Sequence, residues 1–136
     1  MPRTDFNMDG ILNKNDSPRI DIKLFGQLSK PQLFNVVIDT GFTGSISMPF
    51  VRALSLGLVS FSTASFTLAD GSKETALLCL GRAMVGEIEK PVIISLTKGS
   101  DVLIGTEFLA LFGIKLELDY QNKKFNLDVL STAAKK

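Results

Sequence analysis

The strongest constraint on the fold is a short apolar run that ends on a carboxylate. Val36, Val37 and Ile38 lead directly into Asp39-Thr40-Gly41. β-Branched residues favour a buried strand, so Asp39 is predicted to lie at the end of a rigid element. A carboxylate there is costly to desolvate unless it is hydrogen-bonded or shares a proton. Asp39 is therefore either tied into a local turn, where Asp and Gly are common, or held in place for chemistry.

A second apolar run, residues 102–104, ends on Gly105 further along the chain. Thr106 can cap a helix that runs from residue 107 to residue 112 and ends at Gly113. Between the two motifs, Asp70-Gly71 separates the apolar-rich segments 61–68 and 72–80. A D-G pair in that setting predicts a β-hairpin. The chain thus combines a carboxylate at a strand end, a central hairpin and a glycine-terminated strand.

These motifs resemble those of the retropepsin-like aspartic peptidases of clan AA, most closely the small single-domain bacterial proteins. The resemblance rests on D-T-G at 39–41, L-A-D-G-S at 68–72 and L-I-G-T-E-F-L at 103–109, and it covers residues 20–127. It implies an all-β, retropepsin-like acid-protease fold, a single lobe built on a closed, barrel-like sheet with one or two short helices. It also implies that the functional form is a symmetric homodimer.

The resemblance implies roles for three groups of residues, with no metal site among them. The catalytic group is Asp39, Thr40 and Gly41, in which Thr40 would exchange hydrogen bonds with its counterpart in the second subunit. The group that supports the active site is Phe42, Thr43, Gly44, Ile104 and Gly105. Of these, Ile104 and Gly105 would cross behind the loop and complete a ψ-shaped support. The flap, which would close over an extended peptide, has at its tip Ala69, Asp70, Gly71 and Ser72. A plain β-turn without a functional duty is the alternative for this tip.

The residues that the chain lacks also limit its chemistry. It contains no histidine, which excludes Ser-His-Asp and Cys-His catalysis, histidine-ligated zinc and an H-E-x-x-H helix. The single cysteine, Cys79, excludes an internal disulfide and a C-x-x-C site, and its apolar surroundings predict a small core side chain. Hydrolysis would rely on carboxylates, or on a Ser-Lys pair for which the spacing gives no signal. The sequence therefore predicts catalysis without a metal or organic cofactor.

One D-T-G supplies only half of an aspartate pair. Amide hydrolysis by paired aspartates needs one ionised carboxylate to take a proton from water and one protonated carboxyl to polarise the carbonyl. A twofold-symmetric homodimer, in which Asp39 of each subunit meets across the axis, supplies both. In retroviral members both termini interleave in the dimer. The ends of this chain, residues 1–18 and 131–136, are too polar to guarantee that arrangement here, so the sequence leaves the interface strands open.

The sequence predicts three segments along the 136 residues. Residues 1–18 are expected to be a flexible N-terminal arm with at most a short edge strand, residues 19–130 the protease domain, and residues 131–136 a disordered tail. Within the domain, the patterns predict β-hairpins throughout and a short helix over residues 49–55, between Pro49 and Gly57.

Charge and hydropathy limit the partners. The net charge of +1 gives no electrostatic reason to expect nucleic acid. No apolar stretch approaches the length that spans a membrane, and the polar residues 1–10 lack the apolar core of a signal peptide. We therefore expect a cytoplasmic protein whose partners are a second copy of itself and a peptide or protein substrate, with no membrane partner.

Two positions differ from better-known relatives. Phe42 stands where pepsins usually have Ser or Thr and retroviral enzymes Ala. A hydroxyl there could donate to the ionised carboxylate, and Phe42 cannot, so activity is expected nearer neutral pH than in gastric enzymes. Thr106 and Glu107 stand where retroviral enzymes often have Arg and Asn or Asp, which predicts the loss of an inter-subunit contact.

The predicted function is an aspartic endopeptidase that cleaves extended peptide segments by water attack. The main alternative is a non-catalytic peptide-binding or dimerisation module that keeps the protease fold. A third interpretation is a structural β protein in which D-T-G is a coincidental turn, and it predicts a stable monomer.

Overall fold

The computed structural model describes residues 3–26, 29–67 and 69–131. The strands are β1 Arg3–Ile11, β2 Arg19–Phe25, β3 Gln32–Ile38, β4 Ile46–Pro49, β5 Ser60–Thr67, β6 Lys73–Val85, β7 Ile88–Thr97, β8 Val102–Ile104, β9 Ile114–Asp119 and β10 Lys124–Ser131. The helices are α1 Phe50–Ala53, followed by a 3-10 turn over Leu54–Leu56, and α2 Thr106–Leu111. Neither helix has the length or the apolar character needed to cross a membrane, and this holds for all of the described residues.

The larger sheet has the strand order β2-β3-β8-β4-β7-β6-β5, and an additional β2–β6 pairing closes six of these strands into a barrel. β3 and β8 are parallel, whereas β8 and β4 are antiparallel. Alternation along β2 shows how the sequence specifies the barrel. Ile20, Ile22 and Leu24 point into the core, whereas Asp21 and Lys23 are exposed. The predicted all-β, single-lobe fold with a closed barrel and short helices is confirmed.

The hydrophobic core consists mainly of aliphatic side chains from the barrel strands, and it extends to β10 and to α2. Among the fully buried side chains are Ile46, Met48, Ile94 and Ile104 from the strands and Phe108 from α2. The Phe108 ring stacks on Phe112 with a centroid separation of 4.5 Å. Cys79 is 1% exposed, as expected of a small core side chain, and its burial raises the pKa of the thiol.

A second sheet, with the order β1-β10-β9, contains both ends of the described chain. β1 pairs antiparallel with β10 from Arg3 opposite Ser131 to Ile11 opposite Lys124. The prediction of a flexible arm is therefore wrong for residues 3–11. The reason is an alternation within a polar segment, because Phe6 and Met8 pack against the core while Asn7 and Asp9 are exposed.

The structure also bears on the C-terminal boundary and on the helix predicted from Pro49. Ser131 ends β10, and the rest of the predicted tail, residues 132–136, lies outside the described residues, as do residues 1 and 2. The helix predicted over residues 49–55 is present as α1 and the 3-10 turn, which together span residues 50–56. Gly57 ends it in the left-handed conformation, with φ of 61°.

Candidate active site

Asp39 follows the last residue of β3, and the backbone around it is held on both sides. Its N–H donates to the carbonyl of Ile104 at 2.9 Å, and its own carbonyl accepts from the N–H of Phe42 at 3.1 Å. The carboxylate is half-buried, and its Oδ1 accepts from the N–H of Gly41 at 2.9 Å. Within the described part of the chain, Oδ2 accepts no hydrogen bond. The carboxylate is thus oriented by the loop and keeps one oxygen free for a ligand.

The residues that follow β8 cross behind the Asp39 loop, which we define as residues 39–44. Gly105 N–H donates to the carbonyl of Ser45 at 3.0 Å, and Thr106 N–H donates to that of Phe42 at 2.9 Å. A longer bond of 3.3 Å joins Glu107 N–H to the Gly44 carbonyl. Sequence analysis predicted that residues 104 and 105 lie behind this loop, and the structure brings them together there.

Close contact at this crossing requires glycine. A Cβ atom on Gly105 would lie 2.3 Å from the carbonyl oxygen of Phe42 and 2.4 Å from that of Gly44. The Phe42 ring covers both glycines, because a Cβ on Gly44 would lie 2.7 Å from the ring and one on Gly105 would lie 2.6 Å from it. Phe42 is therefore a packing residue of the Asp39 loop, half-buried against the two glycines.

A polar contact that was not predicted from the sequence also holds the Asp39 loop to α2. Ser45 is 6% exposed, and its Oγ donates to Oε1 of Glu107 at 3.0 Å. The bond joins the end of the Asp39 loop to the first turn of α2, where an acidic residue also interacts favourably with the helix dipole. The sequence did show an acidic residue, Glu107, at the start of the predicted helix. Its contact with Ser45 depends on the chain after β8 crossing behind the Asp39 loop.

Thr40 and Thr43 are both exposed on the loop surface. Asp39 and Thr40 line an open groove of about 270 Å³. Leu116, Leu118 and Tyr120, which belong to β9 and the turn after it, line the same groove. The candidate site therefore includes side chains from near the C-terminal end of the chain that sequence analysis did not connect with Asp39.

The predicted flap residues form the tip of the hairpin between β5 and β6. Asp70 Oδ1 accepts from Ser72 N–H at 2.9 Å and from Ser72 Oγ at 2.6 Å. The side-chain bond first, and then the backbone bond, hold the pKa of Asp70 below its usual range. Gly71 has φ of +88°, which a residue with a side chain rarely adopts. Ala69 is exposed beside this turn, and the hydrogen bonds of the tip lie within the turn itself.

A cavity of about 450 Å³ lies beside the hairpin and is lined by residues 73–77 at the start of β6. Residues 96–98, around the end of β7, and Phe50 of α1 line it as well. Lys73 and Lys98 are the basic residues of this lining. For the ranges that the structure describes, no group of three or more His, Cys, Asp or Glu side chains is placed to hold a metal ion.

Comparison with known proteins rests on structure alone, because no family model and no curated protein matches this sequence. A retropepsin-like aspartic protease from Rickettsia conorii matches with a TM-score of 0.62 at 15% identity, over 96% of this chain and 95% of that one. The EIAV protease, solved with an inhibitor, matches with a TM-score of 0.58 at 15% identity, over 78% and 97%. The simian foamy virus (mac) protease matches with a TM-score of 0.51 at 10% identity, over 68% and 92%.

Identities this low are informative about the fold and not about activity. The matched region in the Rickettsia protein spans nearly the whole of both chains, so it includes the sheet formed by β1, β9 and β10 as well as the barrel. Together with the crossing of the Asp39 loop by the end of β8, these matches show that the chain has the retropepsin-like aspartic protease fold.

Proposed function

We propose that this chain is an aspartic endopeptidase that acts as a symmetric homodimer and uses Asp39 from each subunit. The observation that carries the proposal is the geometry of Asp39. Its carboxylate is oriented by Gly41 N–H, has a free oxygen and lies at an open groove in a protein with the retropepsin-like fold. A carboxylate in an ordinary turn has no need of a backbone crossing that excludes every side chain at Gly105.

The chemistry follows from bringing two such carboxylates together. Like charges at close range cannot both ionise, so the pair holds one proton between them. The ionised member takes a proton from water as the water oxygen adds to the peptide carbonyl, which the protonated member polarises. The tetrahedral intermediate then collapses as the C–N bond breaks. The carboxyl that took the proton from water gives it to the amine nitrogen, and the pair again holds one proton. Because the two carboxyl groups share one proton, the roles of acid and base are not assigned to a particular subunit.

The neighbouring residues have roles in this proposal. Exposed Thr40 contacts its counterpart across the axis, and Gly41 aims the carboxylate. The hairpin tip, residues 69–72, folds over the substrate, excludes water and offers backbone hydrogen bonds to an extended peptide. The reaction as written uses water and the two carboxylates and calls for no metal or organic cofactor.

The test is cleavage of an unfolded protein substrate from about pH 3 to pH 8 at several enzyme concentrations. The wild-type rate should rise more steeply than linearly with enzyme concentration, because the active species is a dimer. Asp39→Asn should abolish cleavage. Asp101→Asn is the matched control, because Asp101 is exposed and outside the site, and it should retain activity.

The same profile examines the effect of Phe42, which offers no hydroxyl to the carboxylate. Activity should peak nearer neutral pH than in gastric enzymes, and a peak below about pH 4 would contradict this. Absence of cleavage by a folded, dimeric wild type would favour the non-catalytic peptide-binding or dimerisation module. A stable monomer without activity would favour the structural β protein.

A further inference from the structure

The first observation concerns the edges of the small sheet. β1 is paired with β10 of its own chain over its whole described length. Because that pairing is intramolecular, the terminal strands are not free to interleave with those of a second copy. The order β1-β10-β9 leaves two edges, the outer side of β1 and the outer side of β9. Among the described residues, β9 has no strand on that side.

The second observation is that β9 and Asp39 border the same groove. Leu116 and Leu118 of β9 line the groove that contains Asp39 and Thr40, and both are only half-buried. β1 contributes no residue to this groove as described. Our proposed function requires two Asp39 loops to meet at a twofold axis. Such an axis brings β9 of one copy close to β9 of the other.

The third observation is that the sequence of β9 is complementary to itself in one antiparallel register. Its side chains alternate, with Leu116 and Leu118 toward the protein and Lys115 and Glu117 in solvent. Centring the pair on Leu116 places Lys115 opposite Glu117 of the partner subunit, twice by symmetry. The same register places Ile114 opposite Leu118 of the partner subunit. Both faces then match in charge and in hydrophobicity.

Neighbouring registers lack this match. A centre at Lys115 or at Glu117 places that charge directly opposite its own copy. A register whose centre falls between two residues would place each apolar side chain opposite a charged one. Directly opposed residues share a face of the sheet, so the alternation along β9 excludes such a register. Only the register centred on Leu116 satisfies both the alternation and the charges.

On the basis of the proposed function, we propose that β9 pairs antiparallel with β9 of a second copy, centred on Leu116. The two small sheets then form one continuous sheet of six strands beneath the paired Asp39 loops. This pairing removes two exposed strand edges and covers the half-buried Leu116 and Leu118. The dimer interface therefore lies along the free edge of β9 in the β9–β10 hairpin and does not involve exchange of the chain ends.

The first test measures the dimer dissociation constant by sedimentation, using the full chain. Lys115→Glu and Glu117→Lys each place like charges opposite one another at two symmetric positions, and each should weaken the dimer by about tenfold or more. The double variant K115E/E117K restores opposite charges and should recover most of the wild-type constant. A double variant as weak as either single one overturns the register.

Two controls accompany the charge variants. Lys23→Glu reverses an exposed lysine on β2, a strand paired on both sides, and should leave the constant unchanged. Lys115 also lies opposite Asp128 within its own chain. Urea unfolding of each variant therefore separates a loss of fold from a loss of pairing.

The second test uses cysteine cross-linking. Leu116→Cys places a thiol on the axis, where opposed Cα atoms of antiparallel strands lie about 4.5–5.5 Å apart, within the range of a disulfide. Mild oxidation should give a covalent dimer. Lys115→Cys is the matched control and should not cross-link, because the residue opposite it is Glu117 of the partner subunit. The native Cys79 is 1% exposed and gives no background.

The outcomes distinguish this interface from the proposed function. Cross-linking by Lys115→Cys and not by Leu116→Cys overturns the register, and cross-linking by neither overturns the β9 interface. Asp39-dependent cleavage without a Leu116→Cys cross-link keeps the peptidase and rejects the β9 pairing. A cross-link without Asp39-dependent cleavage keeps the pairing and rejects the peptidase.

Discussion

Gly105 shows how directly a single residue controls the loop that carries Asp39. Two carbonyl oxygens, from Phe42 and Gly44, occupy the space that a side chain at Gly105 would need. The same carbonyls accept hydrogen bonds from Thr106 and Glu107, so they cannot move away without breaking the crossing. The position of the Asp39 carboxylate therefore depends on the lack of a side chain at Gly105.

Gly105→Ala should destabilise the protein by about 1–3 kcal/mol, because its methyl group overpacks the crossing. Cleavage should fall as well, since the Asp39 loop must shift. Gly99→Ala is the matched control, because a Cβ at Gly99 would have its nearest neighbour at 3.7 Å. Denaturant unfolding measures the difference. Equal free energies of unfolding for the two variants would contradict the close approach.

Ser45 and Glu107 form the polar part of the same support. Glu107→Ala leaves the buried Ser45 hydroxyl without its acceptor and should cost about 1–2 kcal/mol. Glu107→Gln keeps an acceptor oxygen and should cost less than half as much. Thermal unfolding of the two variants tests this. A Gln variant as unstable as the Ala variant would show that the charge near the helix start matters more than the hydrogen bond.

At the scale of elements, the tip of the β5–β6 hairpin is stabilised by hydrogen bonds within its own turn. The Asp70 carboxylate accepts two hydrogen bonds from Ser72, and the turn also needs the positive φ of Gly71. These bonds lower the pKa of Asp70 in the folded hairpin. A lowered pKa means that the bonds stabilise the tip above the unfolded pKa and are lost as pH falls through the folded value.

Ser72→Ala should therefore raise the pKa of Asp70 toward its ordinary value, and the turn should lose order at a higher pH than in the wild type. Titration of the carboxyl resonances by NMR measures this. Asp119 is an internal control, because its pKa is lowered mainly by Asn122 and should not respond to the substitution. If Asp70 titrates identically in both proteins, the bond from the Ser72 hydroxyl does not order the tip.

β1 is the element that the sequence pattern concealed. Phe6 packs against the core, and its ring fills the space beside Gly86, where a Cβ would lie 2.8 Å from it. Phe6→Ala should cost about 2–3 kcal/mol, somewhat less than for a fully buried ring. Ile11→Ala is the control, because Ile11 is 78% exposed, and should have little effect. Urea unfolding that fails to separate the two variants would favour a loose arm.

For the whole molecule, the question is whether one chain is a complete unit. The barrel and the small sheet share one hydrophobic core, but β9, an edge strand of the small sheet, borders the groove of a single Asp39. If dimerisation completes this region, folding and association are linked. The melting temperature of the wild type should then rise with protein concentration. Lys115→Glu should flatten that dependence, whereas a wild-type melting temperature independent of concentration would indicate a monomer.

Much of this architecture follows from local sequence patterns. The alternation in β2, the D-G hairpin, the glycine after each helix and the run into Asp39 each specify an element through interactions between near neighbours. Fold class and the order of elements were therefore predictable. β1 was not, because its two packed residues, Phe6 and Met8, are interleaved with polar ones that suggest an arm. Their burial depends on β10, which lies at the opposite end of the chain.

The sequence by itself thus determined the elements other than β1, the carboxylate at a strand end and the absence of histidine chemistry. These depend on residue type and on neighbours along the chain. Only the tertiary structure decided that Ser45 meets Glu107, that the Phe42 ring lies on Gly105, and that β9 borders the groove of Asp39. Each of these contacts joins segments far apart in sequence, and long-range packing, which no local pattern encodes, brings them together.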